Sequence, residues 1–275
     1  MSSSRKRKFS YDNIYKSQNS GEFKIIEYIG GPTELVKIKF LLTDTEEIIT
    51  INAALTGRVK DKFYPRICGV GYIGNFDGCI SKGWPYVMYR TWYKMINRCY
   101  NPNEYSYQFY GSIGVSVDPS WFSFATFYHD VKLLPNYDKK LKYSDKFQLD
   151  KDYLQQNIPK EKRIYSKNTC IWISRYDNDA MKLLDKQKDG YIGVDYNDNG
   201  TFRARSMYNS NIGTFTNEIA AANAYNYFYN LLFYRDQFRN IKPLNNVPYM
   251  SPTEFIKYNT NVEQPIREIV IKQIK

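Results

Sequence analysis

From Gly21 onward, apolar and polar positions alternate in short runs: Phe23-Lys24-Ile25-Ile26-Glu27-Tyr28, then Leu35-Val36-Lys37-Ile38-Lys39-Phe40, then Glu47-Ile48-Ile49-Thr50-Ile51. The runs are rich in β-branched residues and separated by Gly-Pro and Asp-Thr turn signals, so they predict a small antiparallel β module over residues 21–80. Past Trp84-Pro85 the period lengthens. Met88, Trp92, Met95, Ile96 and Cys99 fall at i, i+4, i+7, i+8 and i+11 with Lys94, Asn97 and Arg98 opposite, which predicts an amphipathic helix ended by Asn101-Pro102-Asn103. A turn-rich stretch over 107–117 leads to Trp121 and a second helix over about 122–133. Two short strands, Leu149-Asp150-Lys151-Asp152 and Thr169-Cys170-Ile171-Trp172-Ile173, flank a polar loop carrying Lys160, Lys162, Arg163 and Lys167, and a short helix follows over 178–184. The last compact unit opens at Gly190 with strands over 191–196, 201–207 and 211–215, the first two joined by the hairpin signal Asp198-Asn199-Gly200. A helix over about 218–234 closes it, with Ala221, Ala224, Tyr225, Phe228, Leu231 and Leu232 on its apolar face. The fold class is α+β: a basic flexible arm (1–20), the β module (21–80), a central domain (81–185), a three-stranded sheet packed on one helix (186–245) and a tail (246–275).

Composition sharpens this picture. At about 150 residues per domain, 275 residues make roughly two domains, and 43% apolar with 24% charged residues excludes a wholly disordered chain. Lys and Arg outnumber Asp and Glu 39 to 28, a formal charge of +11, which calls for an anionic partner with nucleic acid foremost. With 27 Tyr and 16 Phe, some rings are expected on the surface, able to stack or hydrogen-bond, although an AT-rich coding sequence equally inflates Tyr. His129 is the only histidine, which removes His-based zinc sites and any Ser-His-Asp triad not built on His129 itself. Within Phe124-Ala125-Thr126-Phe127-Tyr128-His129-Asp130 it reads as part of a packed aromatic helix. Cys68, Cys79, Cys99 and Cys170 form no C-x-x-C pair, so reduced, mostly buried thiols are expected. Gly69-Val70-Gly71-Tyr72-Ile73-Gly74 matches G-x-G-x-x-G, but Asn75-Phe76-Asp77-Gly78 continues as loop, which predicts turn geometry and no small-molecule cofactor. The first residues are charged without an apolar segment, and no run of about 18 apolar residues occurs, so a cytoplasmic chain with no membrane partner is expected.

The motifs Trp92-x-x-Met95, Arg98-Cys99-Tyr100-Asn101-Pro102, Tyr107-x-x-Tyr110-Gly111 and Val115-x-Val117-x-x-x-Trp121 are followed by Leu149-Asp150-Lys151-Asp152, then Tyr165-Ser166-x-Asn168-x-Cys170-x-Trp172 and Asn178. Over about 90 residues this order resembles the HNH-type homing endonucleases of bacteriophages. The resemblance implies a ββα-metal core holding one divalent ion, Mg²⁺ or Mn²⁺, against the scissile phosphate. An Asp at the first strand and an Asn at the start of the helix ligate that ion, matched here to Asp150 and Asn168. The general-base His of the family is replaced by Lys151, whose ordinary pKa of about 10.4 suits a phosphate contact or transition-state cation rather than a base. Asp152, or metal-bound water losing its proton to solvent, would then serve as base. Asp150 and Asn168 also read as turn and cap residues of a core that has lost catalysis.

Farther on, Gly193-Val194, Gly200-x-Phe202-x-Ala204, Ile212-Gly213-x-Phe215 and Ala221-Ala222-x-Ala224-Tyr225 resemble the DNA-binding domain of the AP-two/ethylene-response-factor type. In that family a three-stranded sheet enters the major groove while its other face packs on the helix. Alternation turns Phe202 and Ala204 toward the helix and leaves Thr201, Arg203, Arg205 and Met207 outward. Asp195, Asn197, Asn199, Asn209 and Asn211 match further DNA-contact positions, and Lys162, Arg163 and Lys167 add charge from the basic loop. The first 80 residues resemble a β module that precedes such endonuclease-like regions. Ser251-Pro252-Thr253-Glu254 signals a helix start, and the tail beyond it offers a surface for a protein partner. The combined expectation is an HNH-type endonuclease acting on double-stranded DNA. A catalytically degenerate DNA-binding protein on the same scaffold and a virion or assembly component stand beside it.

Overall fold

The computed structural model describes residues 9–186, 190–205, 211–233 and 239–262. In chain order the elements are β1 (Ile14–Lys16), β2 (Glu22–Gly30), β3 (Leu35–Phe40), β4 (Glu46–Thr50), α1 (Ile51–Leu55), α2 (Gly83–Tyr100), β5 (Ser116–Val117), α3 (Phe124–Asp130), α4 (Tyr137–Lys142) and β6 (Phe147–Asp150). They continue as β7 (Ile164–Tyr165), β8 (Ile171–Ser174), α5 (Arg175–Lys186), β9 (Val194–Tyr196), β10 (Phe202–Arg205), β11 (Asn211–Phe215), α6 (Glu218–Phe233), α7 (Pro252–Phe255) and β12 (Asn259–Val262). Helices and several small sheets are mixed, as an α+β chain requires. The chain divides into two compact units, Met1–Tyr137 with Leu154–Ile171, and Asp138–Tyr153 with Trp172–Lys275, where the sequence predicts three. No helix among the described residues is long and apolar enough to cross a membrane.

In the first unit β1-β2-β3-β4 form an antiparallel sheet whose period-two positions Phe23, Ile25, Val36, Ile38 and Phe40 are buried against Ile51, Ala54 and Val59. β1 lies within the segment expected to be a flexible arm. It is held there because Tyr15 stacks on Phe23 at 5.7 Å and the Ser17 hydroxyl donates to the Val59 carbonyl at 2.8 Å. The predicted third strand ends one residue early, since the Thr50 side chain accepts from the Ala53 N–H and caps α1. α2 buries its predicted apolar stripe: Trp92 is fully enclosed, donates through Nε1 to the Trp121 carbonyl at 2.7 Å and packs on Phe124. The predicted helix over 122–133 is shorter because Ser123 interrupts it, its side chain accepting from the Thr126 N–H to start α3. His129 is not packed within that helix. Its side chain is 76% exposed beside Asp130. The glycine-rich segment is a turn, closed by the Ile67–Gly71 and Tyr72–Ser123 bridges, as predicted.

In the second unit Lys140 of α4 donates to the carbonyls of Ser144 and Phe147 and lies over the Trp172 ring, and burial pushes its ammonium pKa down. β6 and β8 form a two-stranded sheet, and α5 follows directly and packs on β6. The larger sheet has the order β12-β11-β10-β9, antiparallel throughout, with α6 against one face. Ala204, Ala220, Ala221 and Ala224 are fully buried in its core with Phe215 and Tyr225, which confirms alanine where helix and sheet approach. The sheet is four-stranded rather than three-stranded. α7 sets this up: the Glu254 carboxylate accepts from the Ser251 N–H at 2.7 Å, Phe255 is buried in the core, and the chain then runs back along β11 as β12.

Candidate nucleic-acid interface

The hairpin signal fixes the register of β9 on β10. Gly200, at φ +78, takes the left-handed turn position, and the Asn197 N–H donates to the Thr201 carbonyl at 2.8 Å. Counting outward pairs Tyr196 with Phe202, Asp195 with Arg203 and Val194 with Ala204. Arg203 faces Thr214 on β11, and Thr214 faces Asn261 on β12. Cross-strand partners share a face, so Asp195, Arg203, Thr214 and Asn261 form one polar row across all four strands, opposite the face α6 covers. Arg205 joins this face from the diagonal position.

Both guanidinium groups converge on one carboxylate. Arg205 Nη2 stands 2.5 Å and Arg203 Nη2 3.5 Å from Asp195 Oδ2, with side chains 38%, 43% and 36% exposed in that order. These are charge contacts without hydrogen-bond geometry, so Asp195 Oδ2 still has an unfilled acceptor. Two cations and one anion leave one net positive charge. At this exposure each pair contributes about 0–1 kcal/mol, so the arginines part from Asp195 at small cost. Asp195 is therefore the internal counter-ion of the arginines, not itself an outward contact. Asn197 and Asn199 are likewise committed to the hairpin. Asn197 Nδ2 donates to Thr201 Oγ1 at 2.9 Å, and Asn199 Oδ1 accepts from the Thr201 hydroxyl at 2.6 Å. Asn211 stands opposite Arg205 at a bulge, with its Oδ1 buried and unpartnered. Asn209 lies outside the described residues, as do the Arg5–Lys8 run and residues 263–275.

The positions matched to the endonuclease resemblance divide between the units. Asp150, at the end of β6, is buried. Its Oδ1 accepts from the N–H groups of Asp152 at 2.9 Å and Tyr153 at 2.7 Å, and no hydrogen bond among the described residues reaches Oδ2. Burial pushes the carboxyl up and the charge of Asp152 adds to this, against the Tyr153 N–H and the Lys151 charge. Lys151 is buried as well and pairs with Asp152 Oδ1 at 2.7 Å, which corrects the expectation of an ammonium presented to phosphate. That pairing also engages Asp152, the expected substitute base.

Asn168 belongs to the first unit, in an exposed turn where its N–H donates to Ser166 Oγ at 3.2 Å. It does not start a helix. The asparagine in the first turn of the helix after the second strand is Asn178, in the same unit as Asp150. α5 begins three residues before the predicted helix because the Ser174 hydroxyl accepts from the Asp177 N–H at 3.0 Å, a cap legible as Ser174-x-x-Asp177. Asp177 is also fully used: its carboxylate takes the N–H groups of Asn240 and Ile241 and the Asn240 amide.

Among the described residues no three His, Cys, Asp or Glu side chains are grouped to hold a metal. In the basic loop, Lys162 and Lys167 are exposed, and Lys167 adds to the hydroxyl and N–H of Ser120 in holding Asp118 below its ordinary pKa. Arg163 is buried, with Nε donating to the Ile158 carbonyl at 2.9 Å, so it braces the loop instead of offering charge outward.

A carboxylate held against its own desolvation predicts a stability effect. Asp150→Asn keeps an oxygen for both N–H groups and removes the buried charge, so it raises the stability of the second unit at neutral pH. Because the folded pKa is raised, wild type regains this as pH falls through that value. The difference seen in thermal melts at neutral pH then vanishes in acid, and an equal or lower melting temperature for Asp150→Asn at neutral pH contradicts the assignment.

No protein-family profile, curated protein sequence or solved structure matches the chain.

Proposed function

We propose that this chain binds double-stranded DNA through the exposed face of the β9–β12 sheet. The observation that carries the reading is the pair Arg203 and Arg205 on one strand, tethered to a single shared carboxylate. Guanidinium is a planar fork of donors that matches phosphate and the O6/N7 edge of guanine, and two such forks on a β-ribbon suit the width of the major groove. Asp195 keeps the forks oriented before contact, so less side-chain freedom is lost on binding. Thr214 and Asn261 extend the row with neutral side chains suited to phosphate or base edges. The formal charge of +11 supplies the long-range attraction. Duplex affinity is expected to fall steeply as salt rises, because each neutralised phosphate releases counterions. Fluorescence anisotropy of a labelled duplex tests this, and absence of binding at low salt overturns the proposal.

A second reading, phosphodiester hydrolysis with Mg²⁺ or Mn²⁺, is favoured by one observation, the buried Asp150 with its unfilled Oδ2. Asp150 would be a ligand of the ion, and the ion would supply a polarised phosphoryl oxygen and an acidified water. The Lys151–Asp152 pair closes the loop behind Asp150. Plasmid nicking by wild type that is lost in Asp150→Asn supports this reading. Equal nicking by both, or none by either, sinks it and leaves DNA binding as the function.

A further inference from the structure

The polar side of α2 carries a feature that the sheet reading does not use. Tyr86, Arg90, Tyr93, Lys94 and Arg98 fall at i, i+4, i+7, i+8 and i+12, one stripe opposite the buried Met88, Trp92, Met95 and Ile96. With Glu104 and neighbouring side chains this stripe lines a cleft of ≈ 630 Å³ within the first unit. Three cations therefore face one carboxylate, and that carboxylate accepts from the Ser106 hydroxyl.

None of the three cations has a carboxylate within salt-bridge distance among the described residues. Arg98 is half-buried and fixed by neutral groups: Nε donates to the Lys94 carbonyl at 3.2 Å, Nη1 to the Tyr165 hydroxyl at 3.3 Å, and the guanidinium lies 5.1 Å over the Tyr110 ring. Arg90 lies 5.8 Å over the Tyr86 ring. Holding a half-buried cation by ring faces and uncharged acceptors keeps it positioned while its charge stays available to an anion. Tyr86 and Tyr93 meanwhile leave large parts of their rings in solvent.

We infer that this cleft binds single-stranded nucleic acid, with phosphates on Arg90, Lys94 and Arg98 and bases stacked on the tyrosine rings. Alternating cations and exposed aromatic faces are the chemistry that grips an unpaired strand, because every base offers a π-face and every nucleotide a phosphate. A concave site of this volume admits one strand and not the convex girth of a duplex, whose bases are already stacked on each other. The cleft lies on α2 and shares no residue with the β9–β12 face.

The test is anisotropy of the full chain with labelled oligothymidylate and, separately, with labelled duplex. Wild type binds the single strand at low salt. Tyr93→Ala weakens it about tenfold. Arg90→Ala/Lys94→Ala flattens the log–log salt slope by about 1.4, since each lost phosphate contact on single strands removes about 0.7. All three side chains are exposed, so folding is retained, and Tyr93→Phe, which keeps the ring, restores wild-type affinity. No single-strand binding by wild type, unchanged binding by the variants, or displacement by polyglutamate as effective as by unlabelled strand overturns the inference. Single-strand uptake without duplex uptake overturns the sheet reading instead.

Discussion

Gly193→Ala lowers the melting temperature of the second unit by on the order of 10 °C, although the residue contacts no proposed ligand. Gly193 sits at φ +69, a conformation that costs a residue with a Cβ about 1–2 kcal/mol. An added Cβ would lie 2.4 Å and 2.5 Å from Tyr225 ring carbons and 2.6 Å from the Arg205 carbonyl oxygen. Tyr225 is buried in the core beneath the sheet, and the Arg205 N–H donates to the Gly193 carbonyl at 2.7 Å, so neither side of the clash is a free chain end. Overpacking of this kind costs about 1–3 kcal/mol more, a total of about 2–5 kcal/mol against the 5–15 kcal/mol of a typical domain. Relief comes by displacing β10, which also moves Arg205. Thermal unfolding followed by circular dichroism measures the loss, and an unchanged transition contradicts this packing.

The parts of the fold legible in the sequence are those where local pattern and tertiary packing agree. The spacing of Met88, Trp92, Met95, Ile96 and Cys99 leads directly to α2, and the hairpin signal with the alanines of α6 leads to β9, β10, β11 and the helix behind them. β12 was not legible. Asn259 and Asn261 have little intrinsic strand preference, and the pairing of their strand depends on β11 lying more than forty residues upstream, brought near by Phe255. Bulges between Ile25 and Glu27 and between Tyr28 and Gly30 broke the alternation of β2. At the candidate site, alternation revealed Arg203 and Arg205. That Asp195 would bind both was also within reach, since counting residues outward from the Asn197–Thr201 turn places Asp195 opposite Arg203. Asn168 matches the ligand position by its place in the Tyr165-Ser166-x-Asn168-x-Cys170 motif, and a motif match carries no information on which turn or helix the residue occupies. The burial of Lys151 and Arg163 was not legible, because each stands in a run of charged and polar residues whose pattern reads as solvated.

The largest functional effect is expected at the sheet. Each guanidinium fork on a base edge contributes about 1–3 kcal/mol, so removing both costs between about thirtyfold and twenty-thousandfold in duplex affinity. Arg203 and Arg205 are about 40% exposed and carry little packing, so Arg203→Ala/Arg205→Ala leaves the fold standing. It also leaves Asp195 without a counter-ion on the binding face, which adds repulsion toward phosphate. The most direct test is the duplex affinity of wild type and this double variant, measured side by side across a salt series. The account predicts the affinity loss at low salt, with a log–log salt slope shallower by about 0.9 for whichever arginine meets a phosphate instead of a base edge. Equal affinity and an equal slope for the two proteins would contradict it.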